Sequence, residues 1–163
     1  MKHTISILVE NHAGVLARVA GLFARRGFNI DSLAVGVTED EKISRITIIA
    51  DGTAYTLEQI EKQLNKLIDV IKVRHLPAEE LLSRELVLIK VACQPSQRAE
   101  LISLAEIAKA KISDITVNTM TFELSDSVPR IKTFEELLRP YGIKETVRTG
   151  SIAMQKGGAS MKL

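Results

Sequence analysis

The turn Glu10-Asn11-His12-Ala13-Gly14-Val15-Leu16 holds the residues of this chain best suited to gripping a small charged ligand. Glycine beside a helix start lets the backbone come close to a ligand, and the first helical N–H groups, aided by the dipole, favour an anion. A free amino-acid carboxylate suits such a place. Asn29, just ahead of the second expected strand, can offer an amide oxygen to an ammonium group. A plainer reading competes, in which Asn11 only caps the helix and Gly14 only turns the chain.

Other constellations are poor in chemistry. There is no nucleophile elbow, no phosphate loop and no metal-ligand spacing, so no catalytic residue and no metal ligand can be named. The pairs Glu79-Glu80 and Glu135-Glu136 are adjacent, which on a helix makes them diverge into solvent. Cys93 is the single cysteine, so an internal disulfide and a thiolate cluster are both impossible. It shares a strand face with Val87, Ile89 and Val91, where a small buried residue is expected. His3, His12 and His75 are scattered, and none has a ligand partner four residues on.

The elements that would carry the turn repeat once. His3, Ile5, Ile7 and Val9 alternate as a half-buried strand. Val15, Val19 and Leu22, with Leu16, Ala20 and Phe23, form a helix face ending at Arg25-Arg26-Gly27, where cations and a left-handed glycine suit a helix end. Leu33, Val35 and Val37 alternate as a second strand, while Ile30 has the opposite parity, which predicts a bulge near Asp31-Ser32. Ile46, Ile48 and Ala50 mark a third strand. Thr56 with Gln59 forms a capping box ahead of a helix striped by Leu57, Ile60, Leu64, Leu67 and Ile68, and Ile71, Val73 and His75 close the unit.

The same order follows a linker over 77–83. Val87, Ile89 and Val91 form a strand, and Ser96 caps a helix bearing Leu101, Leu104, Ala105 and Ala108. Ile115 and Val117, then Met120, Phe122 and Leu124, make a strand pair around Asn118. Ile131, Phe134, Leu137 and Leu138 line the last helix, stopped at Gly142, and Ile143 with Val147 begins the last strand. The pattern predicts an α+β protein of two tandem ferredoxin-like βαββαβ domains, residues 1–76 and 84–155, with a frayed tail over 156–163. Strands one and three of each sheet are expected in the centre, and one sheet face is left without helices.

Charge and composition exclude several function classes. The net charge is +2, and each half carries +1: 10 basic against 9 acidic residues before Pro77, 12 against 11 from it on. No basic stripe emerges for nucleic acid or anionic lipid. RNA-recognition domains of the same element order stack bases on aromatics in strands one and three, yet residues 3–10 and 43–50 contain no Phe, Tyr or Trp. No apolar run approaches the ~20 residues of a membrane span, and the N-terminus lacks signal-peptide features, so a cytoplasmic location is expected.

Residues 8–19 (Leu-Val-Glu-Asn-His-Ala-Gly-Val-Leu-Ala-Arg-Val), with Gly21-Leu22-Phe23, Arg25-Arg26-Gly27-Phe28-Asn29-Ile30 and Asp31-Ser32-Leu33, resemble an ACT domain. More narrowly they resemble the small regulatory subunits of acetolactate synthase, also called acetohydroxyacid synthase. The stretch Leu57–Val70, Ser44-Arg45, Arg84-Glu85-Leu86, Ile112-Ser113-Asp114-Ile115 and Arg148-Thr149-Gly150 match that family too, so the likeness covers nearly the whole chain. It implies a non-catalytic subunit that activates a catalytic large subunit in branched-chain amino-acid synthesis and imposes feedback inhibition by valine. Thiamine diphosphate, Mg²⁺ and FAD are then expected in the large subunit, and no cofactor in this chain. The resemblance carries effector-binding roles onto Asn11, Gly14, Val15, Leu16, Asn29 and Ile30; His12, a variable position, receives none. A homodimer paired through the edge strand Leu33, Val35 and Val37 is expected to complete the site. A stand-alone amino-acid-sensing regulator of another target, and an enzyme with disguised catalytic residues, stay open. Nothing in the pattern decides between valine, leucine and isoleucine.

Overall fold

The computed structural model describes residues 1–163 as two compact units, Met1–Leu82 with Ser151–Leu163, and Ser83–Gly150. In the first, the order is β1 (Lys2–Glu10), α1 (Val15–Arg25), β2 (Ile30–Val37), β3 (Ile43–Asp51), α2 (Ala54–Leu64) and β4 (Val70–Leu76). The sheet is antiparallel with strand order β2-β3-β1-β4, so β2 and β4 are the edges. Period-2 alternation sends Ile5, Ile7 and Val9 of β1 and Ile46, Ile48 and Ala50 of β3 to one face. There they bury against Val15, Val19, Leu22 and Phe23 of α1 and Ile60 and Leu64 of α2. Full burial of one such aliphatic side chain contributes about 1.5–3 kcal/mol. The register between β2 and β3 shifts between Ile30 and Ser32, the bulge that the parity of Ile30 predicts.

In the second, β5 (Leu81–Ala92), α3 (Arg98–Ala108), β6 (Lys111–Ile115), β7 (Thr119–Asp126), α4 (Val128–Leu138) and β8 (Ile143–Arg148) follow the same plan, with strand order β6-β7-β5-β8. Its core joins Val87, Ile89, Val91 and Cys93 to Phe122, Phe134 and Leu138, with the two phenylalanine rings edge to face at 5.6 Å. The single cysteine is buried in this core.

Several boundaries differ from the sequence reading. Residues 151–155, expected in the second domain, and the tail 156–163, expected to fray, belong to the first unit. A short strand, β9 (Ile152–Gln155), pairs with β5; beside it Ser151 N–H donates to Ser32 Oγ at 2.8 Å and Arg45 donates to Ala153 O at 2.8 Å. Four residues are too few for alternation to announce a strand. The linker 77–83 is a 3₁₀ turn, Ala78–Glu80, that runs directly into β5. The cap of α2 is Thr53, in extended conformation, whose Oγ1 accepts from Thr56 N–H at 3.2 Å; Thr56 therefore sits inside the first turn. Before α3, Gln94 and Gln97 form a reciprocal capping box around a 3₁₀ turn at Pro95–Gln97, in place of a Ser96 cap.

Candidate functional site

The turn between β1 and α1 has the features of an anion seat. Gly14 is the N-cap of α1 at φ +88°, in the left-handed region open to glycine, and no side chain caps the helix. No acidic residue stands in its first turn. Arg18 N–H is the first to reach back, donating to Gly14 O at 3.1 Å, so the amides of Val15, Leu16 and Ala17 have no intrahelical carbonyl to bond. The Val15 side chain is buried in the core and leaves only its N–H to a ligand, whereas Leu16 is exposed.

Asn11 does not cap the helix. Its Nδ2 donates to Glu41 O at 2.7 Å and its backbone N–H to Lys42 O at 2.8 Å. The β2–β3 loop is thereby tied to the start of the turn.

A cluster that sequence reasoning missed braces the turn from beneath. The Asp69 carboxylate, on the loop before β4 and 5% exposed, meets Arg18 Nε at 2.7 Å and His12 Nε2 at 3.0 Å. Asp69 O also accepts from Glu10 N–H at 2.9 Å. The Ala13 carbonyl, first, raises the His12 pKa; desolvation, second, pulls it down, and the Glu10 and then the Asp69 carboxylates add to the net rise. Glu10, His12 and Asp69 bring one ligand atom each within 4.8 Å of one another, but Arg18 already neutralises Asp69, and the group works as an ion-pair clasp. Asp69 is 55 residues from Gly14 in sequence, and no local spacing joins them.

Asn29 and Ile30 stand at the other end of the sheet. Ile30 pairs opposite Ala50, whereas Glu10, which leads into the Gly14 turn, pairs opposite Ile43. The length of β2, about 23 Å at ~3.3 Å per residue, separates them within one chain. Asn29 Nδ2 donates to Asp31 Oδ1 at 2.7 Å, so the bond uses the amide nitrogen and not the Oδ1 acceptor. Ile30 packs on the core.

The edge strand is open in a defined way. Thr38 N–H donates to Ile43 O at 2.9 Å, and the register from Leu33 to Val37 is regular. In an antiparallel ladder alternate residues bond to the neighbour, so Gly36 and Ala34 point to β3 while the N–H and C=O groups of Leu33, Val35 and Val37 point away from it. Val35 and Val37 are 47% and 62% exposed. None of the helices is long and apolar enough to cross a membrane.

Two such units in one chain, the first with an uncapped helix start beside a left-handed glycine, place this protein among those built on the ACT-domain fold. Residues 5–72 match the family described as the AHAS small subunit-like ACT domain, and residues 84–157 that described as the small subunit of acetolactate synthase. A probable acetolactate synthase small subunit of Archaeoglobus fulgidus is 50% identical over 157 residues, covering 96% of this chain and 98% of that one. The acetolactate synthase small subunit of Mycobacterium leprae is 44% identical over 155 residues, covering 95% and 92%. The crystal structure of the small subunit from Thermotoga maritima superposes with a TM-score of 0.91 at 38% identity, covering 98% of this chain and 99% of that one. This chain belongs to the family of acetolactate synthase small subunits.

Proposed function

We propose that this chain is the non-catalytic regulatory subunit of an acetolactate synthase, raising the activity of a catalytic large subunit and making it subject to feedback inhibition by valine. The observation that carries the reading is the uncapped start of α1 at Gly14, where the first amides of the helix are free to bind a carboxylate. Thiamine diphosphate, Mg²⁺ and FAD would belong to the large subunit, whose chemistry this chain modulates.

The effector site is completed by a second copy. Gly14 and Asn29 lie at opposite ends of the sheet, and two-fold antiparallel pairing of Leu33, Val35 and Val37 with their copies brings the Asp31 end of one β2 beside the Val37 end of the other. Asn29 of one protomer then stands at the sheet end that holds the Gly14 turn of its neighbour. The amides of Val15 and Leu16 take the effector carboxylate, Asn29 Oδ1 takes the ammonium, and Leu16 with the Ile30 backbone borders the side chain. An effector bound differently by two arrangements of the dimer shifts the catalytic subunit through that difference.

Reconstitution with the large subunit tests this. Addition of the chain should raise acetolactate formation, and valine should then suppress it, while the isolated chain with pyruvate, thiamine diphosphate, Mg²⁺ and FAD forms none. Turnover by the chain alone would sink the proposal, and so would a large subunit indifferent to it.

A further inference from the structure

The face of the first sheet turned away from the helices carries Arg45 on β3 and Lys72 and Arg74 on β4. Leu8 lies between Arg45 and Lys72 in the ladder, and Ser6 lies between Thr47 and Arg74 one row on. Neighbouring strands are ~4.8 Å apart, so three long side chains in adjoining rows can converge above Leu8 and Ser6. None of the three meets a carboxylate. Arg45 donates to Ala153 O at 2.8 Å, Lys72 to Lys162 O at 2.6 Å, and Arg74 to Ser160 O at 3.2 Å and to Gln155 Oε1 at 3.5 Å.

All four acceptors are neutral and belong to residues 151–163, a strap across this face. The strap itself bears Lys156 and Lys162 and no acidic side chain, so it offers the three cations no side-chain carboxylate. Desolvation, and then the neighbouring Arg74 charge, lower the Arg45 pKa. One row on, beside Arg74, the Ser6 hydroxyl is fully buried and has no hydrogen-bond partner. A buried hydroxyl without a partner is destabilising, and partly buried cations usually find carboxylates. Gly157 and Gly158 lie in the middle of the strap, Gly157 at φ +77°, which makes it easy to bend there.

We propose that Arg45, Lys72 and Arg74 form a site for a phosphate-type oxyanion, with the Ser6 hydroxyl as a further donor, and that residues 151–163 are its displaceable cover. A tetrahedral anion supplies the charge that the strap carbonyls lack, and guanidinium groups bind phosphate through paired N–H donors. The site stands on the sheet face opposite the helices, and does not depend on the effector reading.

Calorimetric titration of the full chain at low salt with inorganic pyrophosphate is the test, with ribose 5-phosphate in parallel to tell a free phosphate from one carried on an organic group. Saturable binding of one anion per chain is expected with at least one probe, with faster amide exchange over 151–163 on binding. The Arg45→Gln/Arg74→Gln double variant should lose at least tenfold in affinity and Ser6→Ala a few-fold, whereas Arg26→Gln, at the end of α1, leaves it unchanged. Circular dichroism confirms that each variant is folded. Three results overturn the proposal: no saturable binding of either probe, equal loss in the Arg26 variant, or binding that leaves strap exchange unchanged.

Discussion

Arg18 Nε lies 2.7 Å from Asp69 Oδ2, joining the first turn of α1 to the loop before β4 beneath the Gly14 turn. Asp69 is nearly buried, while Arg18 is half exposed. Asp69→Asn removes the charge that Arg18 and His12 both use and should lower stability by about 1–3 kcal/mol. Arg18→Gln should cost less, about 0.5–1 kcal/mol, since solvent screens the exposed partner. In urea unfolding the double variant should fall short of the sum of the two. Strict additivity would show that the pair does not act as a clasp.

Gly14→Asp should weaken valine binding more than tenfold, or more than about 1.4 kcal/mol out of the ~4 kcal/mol that a millimolar ligand has in total. A Cβ at Gly14 finds room, its nearest neighbour being an Arg18 guanidinium nitrogen at 3.8 Å, so crowding is not the cause. The left-handed φ costs a non-glycine residue about 1–2 kcal/mol of stability, and the new carboxylate repels that of the ligand. Gly14→Asn separates the two effects, because asparagine tolerates this φ without bringing charge. Calorimetry should find valine binding largely retained in the asparagine variant, and equal loss in both would point to the fold.

Val35→Pro should prevent the proposed β2–β2 dimer and abolish valine binding together. The Val35 N–H points away from β3, so proline removes an outward donor and leaves the ladder to Ile46 in place. Circular dichroism should be preserved and sedimentation should show a monomer. A folded monomer that binds valine normally would mean that one chain holds the whole site.

His12 should contribute a pH-dependent term to stability. Its folded-state pKa lies above the ordinary 6.5, chiefly through the Ala13 carbonyl, then through Glu10 and Asp69. The contribution is therefore complete below the unfolded value and is lost as pH rises through the raised folded one. Thermal unfolding of the protein and of His12→Gln should differ most near pH 6 and converge toward pH 8.5. A gap independent of pH would contradict this.

Much of the fold was legible because its signals are local. The alternation of Ile5, Ile7 and Val9, the stripe of Val15, Val19 and Leu22, and the parity break at Ile30 each arise within a few residues, where backbone geometry dictates which side chains share a face. The glycine at the start of α1 was legible for the same reason. Asp69 under the turn, the strap over Arg45 and Arg74, and the return of 151–163 to the first unit were not, because each joins residues dozens of positions apart. Asn11 shows the boundary most sharply. Its type suits a helix cap, but the β2–β3 loop offers Glu41 O at 2.7 Å, and that tertiary acceptor takes the side chain away from the helix. The order of elements and the chemistry of the turn belong to the sequence alone. Which groups meet across the sheet, and that Gly14 and Asn29 of one chain stand too far apart to share a ligand, was decided only when the strands had paired.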